Sequence, residues 1–308
     1  MRNLFWKSGN QTRNLVEKPF ASEAALEAYV MANQDVLGDI YVFSHQILTG
    51  SKKGIPDMIG IDQDGQVCII ELKNVEADES ILPQALSYAI WAETNPDSIK
   101  AIWLEHEEHP EEIEVIWDNL ELRIVLVAPA FKSAVREMRG KIDYPIDLVQ
   151  IERYAFEGDE FVLVDILEPE PEAKVGVTKV QREWDWDYYR EEHGEEATAQ
   201  FRRTVDALER LAQAQGWDLP YNINKYYTGF KLGNKVVFGV AWGGTYAWKV
   251  RCKLAEGEGE AFEGRDWEFQ VYDRTFHEAT FKPKTKESPD VSELLPMLTK
   301  AYHHVSGA

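Results

Sequence analysis

Cysteine is scarce in this chain of 308 residues, since only Cys68 and Cys252 are present. Two thiols so far apart exclude a disulfide framework and a cysteine-based zinc site. Each lies in an apolar, strand-like run, so we expect both to be buried and reduced. Long apolar runs are also missing, because the longest, 124–131, is far shorter than the roughly 18–20 residues of a membrane-spanning helix. No membrane span is therefore expected.

Targeting and cofactor signatures are missing as well. The first residues, MRNLFWKSGNQTRNLVEK, lack the apolar segment that follows the basic residues of a secretory signal, so the cytoplasm is the expected location. Neither a Walker A nor a Rossmann fingerprint is found, and the histidines of EHEEHP do not have the spacing of the HExxH zinc motif. These absences argue against the corresponding classes of nucleotide-binding and zinc enzymes.

Positive charge is in short supply, because 33 Lys and Arg face 54 Asp and Glu, a formal net charge of −21. The acidity is regional: residues 61–180 carry a net −17, whereas 1–60 are neutral and 181–308 carry −4. The 44% of apolar residues indicate a folded protein. Its length exceeds the roughly 250–300 residues at which a single core stops growing, so we expect two domains.

A linker separates the two expected domains. Near residue 167 the composition changes to EPEPEAKVGVTK, which has little to bury. We therefore predict a first domain at 1–167, an acidic Pro/Glu linker at 168–180 and a second domain at 181–308. Alternating strand and helix patterns in the first predict an α/β core with a mixed sheet flanked by helices.

The second domain is predicted to be a smaller α+β domain. It has an amphipathic helix at 197–215, a basic and aromatic hairpin region, a strand at 265–273 and a closing helix within 291–304. Its expected task is to bind the substrate or a partner.

Several elements of the first domain have local signals. A helix is predicted over 22–37 with Ser22 as its N-cap, and another over 82–92. Between them, IPDMIGID and VCIIELK flank an Asp-Gly turn, which predicts a β-hairpin. The short apolar run AIWLE at 101–105 is expected to form a strand.

The second strand of this hairpin ends with two charges. Side chains alternate between the faces of a strand, so Glu71 and Lys73 point the same way as the apolar Val67 and Ile69. An unpartnered buried charge is costly, which indicates that these charges belong to a functional site. Asp57 lies across the hairpin and can approach them. Two carboxylates and a backbone carbonyl form the oxygen environment that Mg²⁺ or Mn²⁺ prefers.

Pro56-Asp57 followed by Glu71-Leu72-Lys73 resembles the motif of the PD-(D/E)XK nuclease superfamily. The resemblance implies that Asp57, Glu71 and the Leu72 backbone carbonyl hold Mg²⁺, or Mn²⁺ in its place. It also implies that Lys73 positions the water that attacks phosphorus.

The helices around the motif extend the resemblance over roughly residues 15–167, where the chain looks similar to NucS-type endonucleases. The resemblance implies a restriction-endonuclease-like core for this domain. Gln84 and Tyr88 are one helical turn apart, and the resemblance implies a catalytic role for Gln84 and a nucleic-acid contact for Tyr88. The superfamily often adds a glutamate from the first helix. We prefer Glu23, which lies closer in helical angle to the apolar stripe, and keep Glu27 as the alternative.

Two basic features are candidates for phosphate binding. Lys52 and Lys53 sit in a glycine-bounded turn just before the motif. The window 219–255 has a net charge of +6 and many aromatic residues, a mixture found in nucleic-acid-binding surfaces. The structural alternative, an aromatic sheet core with lysines on its wet face, is favoured for this window. Its candidate nucleic-acid-binding residues are Lys225, Lys231 and Lys249.

The sequence thus leads us to expect a Mg²⁺-dependent endonuclease that hydrolyses DNA phosphodiester bonds in DNA repair or in defence against foreign DNA. The alternative is a non-cleaving module that binds nucleic acid or protein on the same fold. The expected partners are DNA and, through the C-terminal domain, a second copy of the chain or another protein.

Overall fold

The computed structural model describes residues 4–45, 56–106, 113, 115–117, 120–167, 184–233, 235–245, 247–285 and 289–307. The predicted linker 168–180 and the Lys52-Lys53 turn lie outside the described residues. The chain divides into two compact units, of which the first contains described residues up to 106 and from 115 to 167, and the second those from 184 onward. No helix within the described part is long and apolar enough to cross a bilayer.

The first unit is built on a mixed sheet of eight strands. In chain order these are β1 (Leu4–Ser8), β2 (Gln11–Glu17), β3 (Ile40–His45), β4 (Met58–Asp62), β5 (Val67–Leu72), β6 (Leu122–Ala128), β7 (Ile146–Phe156) and β8 (Asp159–Leu167). Their spatial order is β1-β2-β7-β6-β5-β4-β3, and β8 also pairs with β7. The pairs β5–β6 and β6–β7 are parallel because helical crossovers connect them, whereas the others are antiparallel.

Helices cover this sheet. The four are α1 (Glu23–Ala32), α2 (Ile81–Thr94), α3 (Pro96–Glu105) and α4 (Ser133–Arg139). Leu26 and Val30 of α1 share an apolar cluster with Ile70 and Leu72 of β5, while α2 packs against β5 and β6. Together with the second unit, this architecture confirms the predicted fold class, a mixed sheet flanked by helices followed by a smaller α+β unit.

Two local predictions in the first unit need correction. The run at 101–105 is the end of helix α3, not a strand, because Pro96 begins a helix whose buried residues Ile99 and Trp103 are one turn apart. The helix expected over 22–37 is shorter, since α1 ends at Ala32 and a 3₁₀ helix follows at Gln34–Leu37. Its predicted N-cap is confirmed, because Ser22 Oγ accepts a hydrogen bond from the Ala25 backbone N–H (3.1 Å).

In its described part, the second unit has a six-stranded antiparallel sheet, three α-helices and a 3₁₀ helix at Val291–Leu294. Its helices are α5 (Trp186–His193), α6 (Glu195–Ala214) and α7 (Leu295–Ser306). Its strands are β9 (Tyr221–Ile223), β10 (Tyr227–Leu232), β11 (Lys235–Trp242), β12 (Trp248–Lys253), β13 (Trp267–Asp273) and β14 (Glu278–Pro283), in the spatial order β13-β14-β12-β11-β10-β9. The predicted amphipathic helix is therefore α6, with a 20-residue span.

The core of the second unit is rich in aromatic residues from the basic window. Phe230, Phe238, Trp242 and Trp248 are buried among side chains of α6 and α7. Phe201 of α6 stacks on Trp242 with ring centroids 4.5 Å apart. These aromatic rings therefore build the core, which agrees with the structural alternative for this window.

Both cysteines have the state that the sequence predicts. Cys68 on β5 and Cys252 on β12 are free thiols, and both are buried. Burial raises the pKa of each thiol well above its ordinary value, so neither is poised as a nucleophile.

We predict that Gly239→Ala destabilises the second unit by about 3 kcal/mol, because overpacking against backbone cannot relax easily. A Cβ added at Gly239 would lie 2.3 Å from the carbonyl oxygen of Thr228 on the paired strand. Gly243→Ala is the matched control, since its added Cβ meets no atom closer than 3.7 Å. Urea denaturation followed by tryptophan fluorescence measures both, and equal midpoints would contradict the prediction.

Candidate active site

The hairpin of β4 and β5 brings together the acidic residues of the predicted motif. The strands pair in the register Met58↔Ile70, so Asp57 and Glu71 occupy the adjoining ends of the two strands. The backbone N–H of Leu72 donates a hydrogen bond to Asp57 Oδ2 (2.8 Å). This bond holds the Asp57 carboxylate against the end of β5, beside Glu71.

Glu71 is the most enclosed carboxylate of the site, with a side chain that is 0% exposed. Its Oε1 accepts hydrogen bonds from Lys73 Nζ (3.0 Å) and from Gln84 Nε2 (2.5 Å). Its Oε2 is buried and receives no hydrogen bond from a donor among the described residues. The Asp57 carboxyl lies close enough to the Glu71 side chain for the two to share a proton. Glu71 therefore offers one satisfied oxygen and one that can still accept a ligand.

Helix α2 supplies the polar residues that face Glu71. Gln84 donates to Glu71 and is also 3.2 Å from the hydroxyl of Tyr88, which lies one turn further along the helix. Tyr88 is a largely buried residue with 9% exposure, and its hydroxyl accepts a hydrogen bond from the Gln84 amide that contacts Glu71. Its predicted contact with nucleic acid stays a prediction.

Helix α1 places Glu23 at the site. Glu23 Oε1 lies 3.8 Å from Lys73 Nζ, and its side chain is 56% exposed. Glu27, the alternative, also lies on α1 and is buried. The ammonium of Lys73 thus lies between two carboxylates that belong to different elements, Glu71 on β5 and Glu23 on α1.

The site holds more negative charge than its cation balances. Burial and the charge of Asp57 raise the pKa of Glu71 from 4.5 to about 7, although the contact with Lys73 acts in the opposite direction. Burial also raises the pKa of Asp57, against the effects of the Leu72 N–H and of Lys73. Burial alone would lower the pKa of Lys73, but its hydrogen bond to Glu71 and the surrounding carboxylates raise it. A further cation would therefore be favoured here.

The donor set fits a hard divalent cation. Carboxylate oxygens of Asp57 and Glu71, with the Leu72 carbonyl, are the ligand types that Mg²⁺ and Mn²⁺ prefer, and water completes such sites. Within the described residues no group of three or more His, Cys, Asp or Glu side chains forms a metal-binding cluster. The site thus has two carboxylates, and the Leu72 carbonyl stays the predicted third oxygen.

The remaining predicted residues are lysines of other segments. Lys52 and Lys53 fall outside the described residues. Lys225 lies over the rings of Trp184 (5.8 Å) and Tyr226 (5.2 Å) in the second unit. Lys231 on β10 and Lys249 on β12 are half-buried members of that unit's sheet. Their predicted role in binding nucleic acid stays a prediction.

One polar residue of this region was not singled out from the sequence. Asn74 directly follows Lys73, and its Nδ2 donates a hydrogen bond to the carbonyl oxygen of Phe20 (2.7 Å). An asparagine after a strand is a common turn signal, so its type alone does not reveal such a distant partner.

Comparisons with known proteins are sparse. No protein-family profile and no curated protein matches the chain. A solved complex of EndoMS with double-stranded DNA is similar with a TM-score of 0.27 and 18% identity, covering 42% of this chain and 44% of that one. A repair endonuclease from Pyrococcus abyssi has a TM-score of 0.27 and 21% identity, covering 44% and 50%. The similarity spans half or less of these chains and is too low to assign a reaction.

We predict that Glu71 makes folding stability depend on pH. Its folded-state pKa of about 7 lies above the ordinary 4.5, so the folded state binds the proton more tightly. The free energy of unfolding should therefore fall by up to about 3 kcal/mol as pH rises from 4.5 to 7 without divalent cations. Glu71→Gln should remove this fall and be more stable than the wild type at pH 8.

Urea denaturation in EDTA at several pH values measures the free energy of unfolding of Glu71→Gln and of the wild type. The exposed Glu76→Gln is the control, because it removes the same charge from a solvated position. A Glu71→Gln profile parallel to that of Glu76→Gln would contradict the prediction.

Proposed function

We propose that the chain is a metal-dependent endonuclease of the PD-(D/E)XK type that hydrolyses DNA phosphodiester bonds, in DNA repair or in defence against foreign DNA. The observation that carries the proposal is the arrangement at the end of the β4–β5 hairpin. Two carboxylates with raised pKa values, one buried oxygen without a hydrogen-bond donor and a lysine 3.0 Å from Glu71 lie together at adjoining strand ends.

In the proposed hydrolysis, some residues bind the metal ion and Lys73 acts on the attacking water. Asp57, Glu71 and the Leu72 carbonyl would hold Mg²⁺, or Mn²⁺ in its place. When bound, the cation supplies Lewis-acid stabilisation of charge on phosphoryl oxygens and activates water. Lys73 would orient the attacking water at its Nζ and neutralise charge that develops on the phosphate.

The remaining side chains would keep the Glu71 carboxylate and the Lys73 ammonium in position. Gln84 holds Oε1 of Glu71, and Tyr88 supports the Gln84 amide. This arrangement orients Oε2, the Glu71 oxygen that lacks a hydrogen-bond donor, for ligation. Glu23 lies 3.8 Å from the Lys73 ammonium and would limit where that group can move.

We predict that Asp57→Asn, Glu71→Gln and Lys73→Met each lower DNA cleavage at least about 10²-fold with Mg²⁺ or Mn²⁺, because the first two each remove a metal ligand and the third removes the ammonium that orients the attacking water. Plasmid, single-stranded, mismatched and branched DNA are suitable substrates. Glu76→Gln should cleave like the wild type, since Glu76 is exposed and outside the site.

A second measurement separates metal binding from chemistry. Mg²⁺ should raise the melting temperature of the wild type and of Lys73→Met, because both keep the metal ligands. It should not raise the melting temperature of Asp57→Asn, because this variant has lost a metal ligand. Unchanged cleavage by Asp57→Asn, Glu71→Gln and Lys73→Met would refute the assignment of these residues to catalysis. DNA binding without cleavage by the wild type would favour the alternative, a non-cleaving binding module.

We further predict that the second unit contributes to DNA binding through Lys225, Lys231 and Lys249. Replacing all three by alanine should reduce the slope of log K against log salt by about 2–3, since each phosphate contact contributes about 0.7–0.9. The control replaces Lys282, Lys284 and Lys300, which removes the same charge from the same unit outside the basic window. Equal slopes for the two triple variants would contradict a role for the window.

A further inference from the structure

The two carboxylates beside Lys73 come from segments that are distant in sequence, so something must hold these segments together. Asn74 Nδ2 donates to the Phe20 carbonyl oxygen at 2.7 Å, across a separation of 54 residues. The donor directly follows Lys73, and the acceptor lies three residues before Glu23. This one hydrogen bond thus joins the end of β5 to the start of α1.

The start of α1 is held from two sides. Its backbone enters the helix at Ser22, whose side chain caps the first turn. On the β7 side, the guanidinium of Arg153 contacts the Pro19 carbonyl (3.4 Å) and lies over the Phe20 ring (5.4 Å). On the β5 side, the contact comes from Asn74. Arg153 therefore fixes the segment to the sheet, whereas Asn74 fixes it relative to Lys73.

We propose that Asn74 is a positioning residue that sets the location of Glu23 against Lys73, an inference that rests on the proposed function of this site. Burying a backbone carbonyl needs a donor, and the amide of Asn74 supplies one. Without it, the first turn of α1 can shift relative to the strand end. The 3.8 Å approach of Glu23 Oε1 to Lys73 Nζ is long enough for a small shift to break it.

The test is a double-mutant cycle of Asn74→Ala and Glu23→Gln in the full chain, measured by cleavage with Mg²⁺. We expect Asn74→Ala to lower kcat about tenfold with KM changed less than about twofold, since misplacement of a catalytic group affects chemistry more than binding. Glu23→Gln should have little further effect in the Asn74→Ala background, because Glu23 is already displaced.

Asn33→Ala is the matched control. Asn33 lies at the other end of α1, and its Nδ2 makes the same kind of bond, to the Tyr29 carbonyl (2.9 Å). It should leave kcat unchanged. If Asn74→Ala and Asn33→Ala have equal effects, or if the effects of Asn74→Ala and Glu23→Gln multiply, the positioning role is wrong.

Hydrogen–deuterium exchange gives a result that does not depend on cleavage. Asn74→Ala should speed exchange of the amides around 20–26, and Asn33→Ala should not. Unchanged exchange there would overturn the inference even in an active enzyme. If Asn74→Ala speeds exchange but the wild type neither binds Mg²⁺ nor cleaves DNA, the proposed function is overturned. The inference that Asn74 holds the start of α1 would then still stand.

Discussion

The burial of the Glu71 carboxylate is the constraint on which the rest of the site depends. All six residues of β5 are buried, so the strand can end in a charge only if neighbouring elements satisfy that charge. Lys73 follows it on the same face, and α2 brings Gln84 to the same oxygen. The Leu72 N–H meanwhile holds Asp57 beside it. The hydrogen bonds satisfy only part of the site, because one Glu71 oxygen lacks a hydrogen-bond donor within the described structure.

A buried carboxylate of this kind lowers the free energy of unfolding. A neutral side chain at position 71 would avoid both desolvation and repulsion by Asp57, the two main causes of the raised Glu71 pKa. The surrounding apolar cluster of β5, β6 and α1 offsets this unfavourable term, since it packs the opposite face of the strand with Leu26, Ile70 and Leu72. One face of β5 thus stabilises the fold while the end of the other face holds the charges.

The sequence was sufficient for the parts of the site that depend on local geometry. Strand alternation predicts that Glu71 and Lys73 share a face, and the Asp64-Gly65 turn predicts the hairpin. Helical angle did not predict burial on α1, because Glu27 is buried whereas Glu23, which was placed nearer the apolar stripe, is 56% exposed. Long-range contacts lack such a signal: the Asn74–Phe20 bond spans 54 residues, and no periodicity reveals it. The run AIWLE was misassigned because a short apolar stretch fits a strand and a buried helical face equally well. The pairing of Tyr88 with Gln84, and hence its burial, depends on tertiary packing of α2.

The regional acidity has a physical consequence for the proposed reaction. Several cations of the first unit are already neutralised within it: Arg123 contacts Asp62 (3.2 Å) and Asp147 (2.5 Å), and Arg139 also approaches Asp147 (3.4 Å). These pairs stabilise the sheet but do not change the net charge of the first unit, which is −12 over 1–106 and 115–180, since five glutamates at 107–114 belong to the second unit. Long-range attraction would therefore not draw a polyanion to this unit. If the chain cleaves DNA, short-range contacts near the hairpin must select the substrate, so selectivity follows from the same charge balance that suppresses indiscriminate binding.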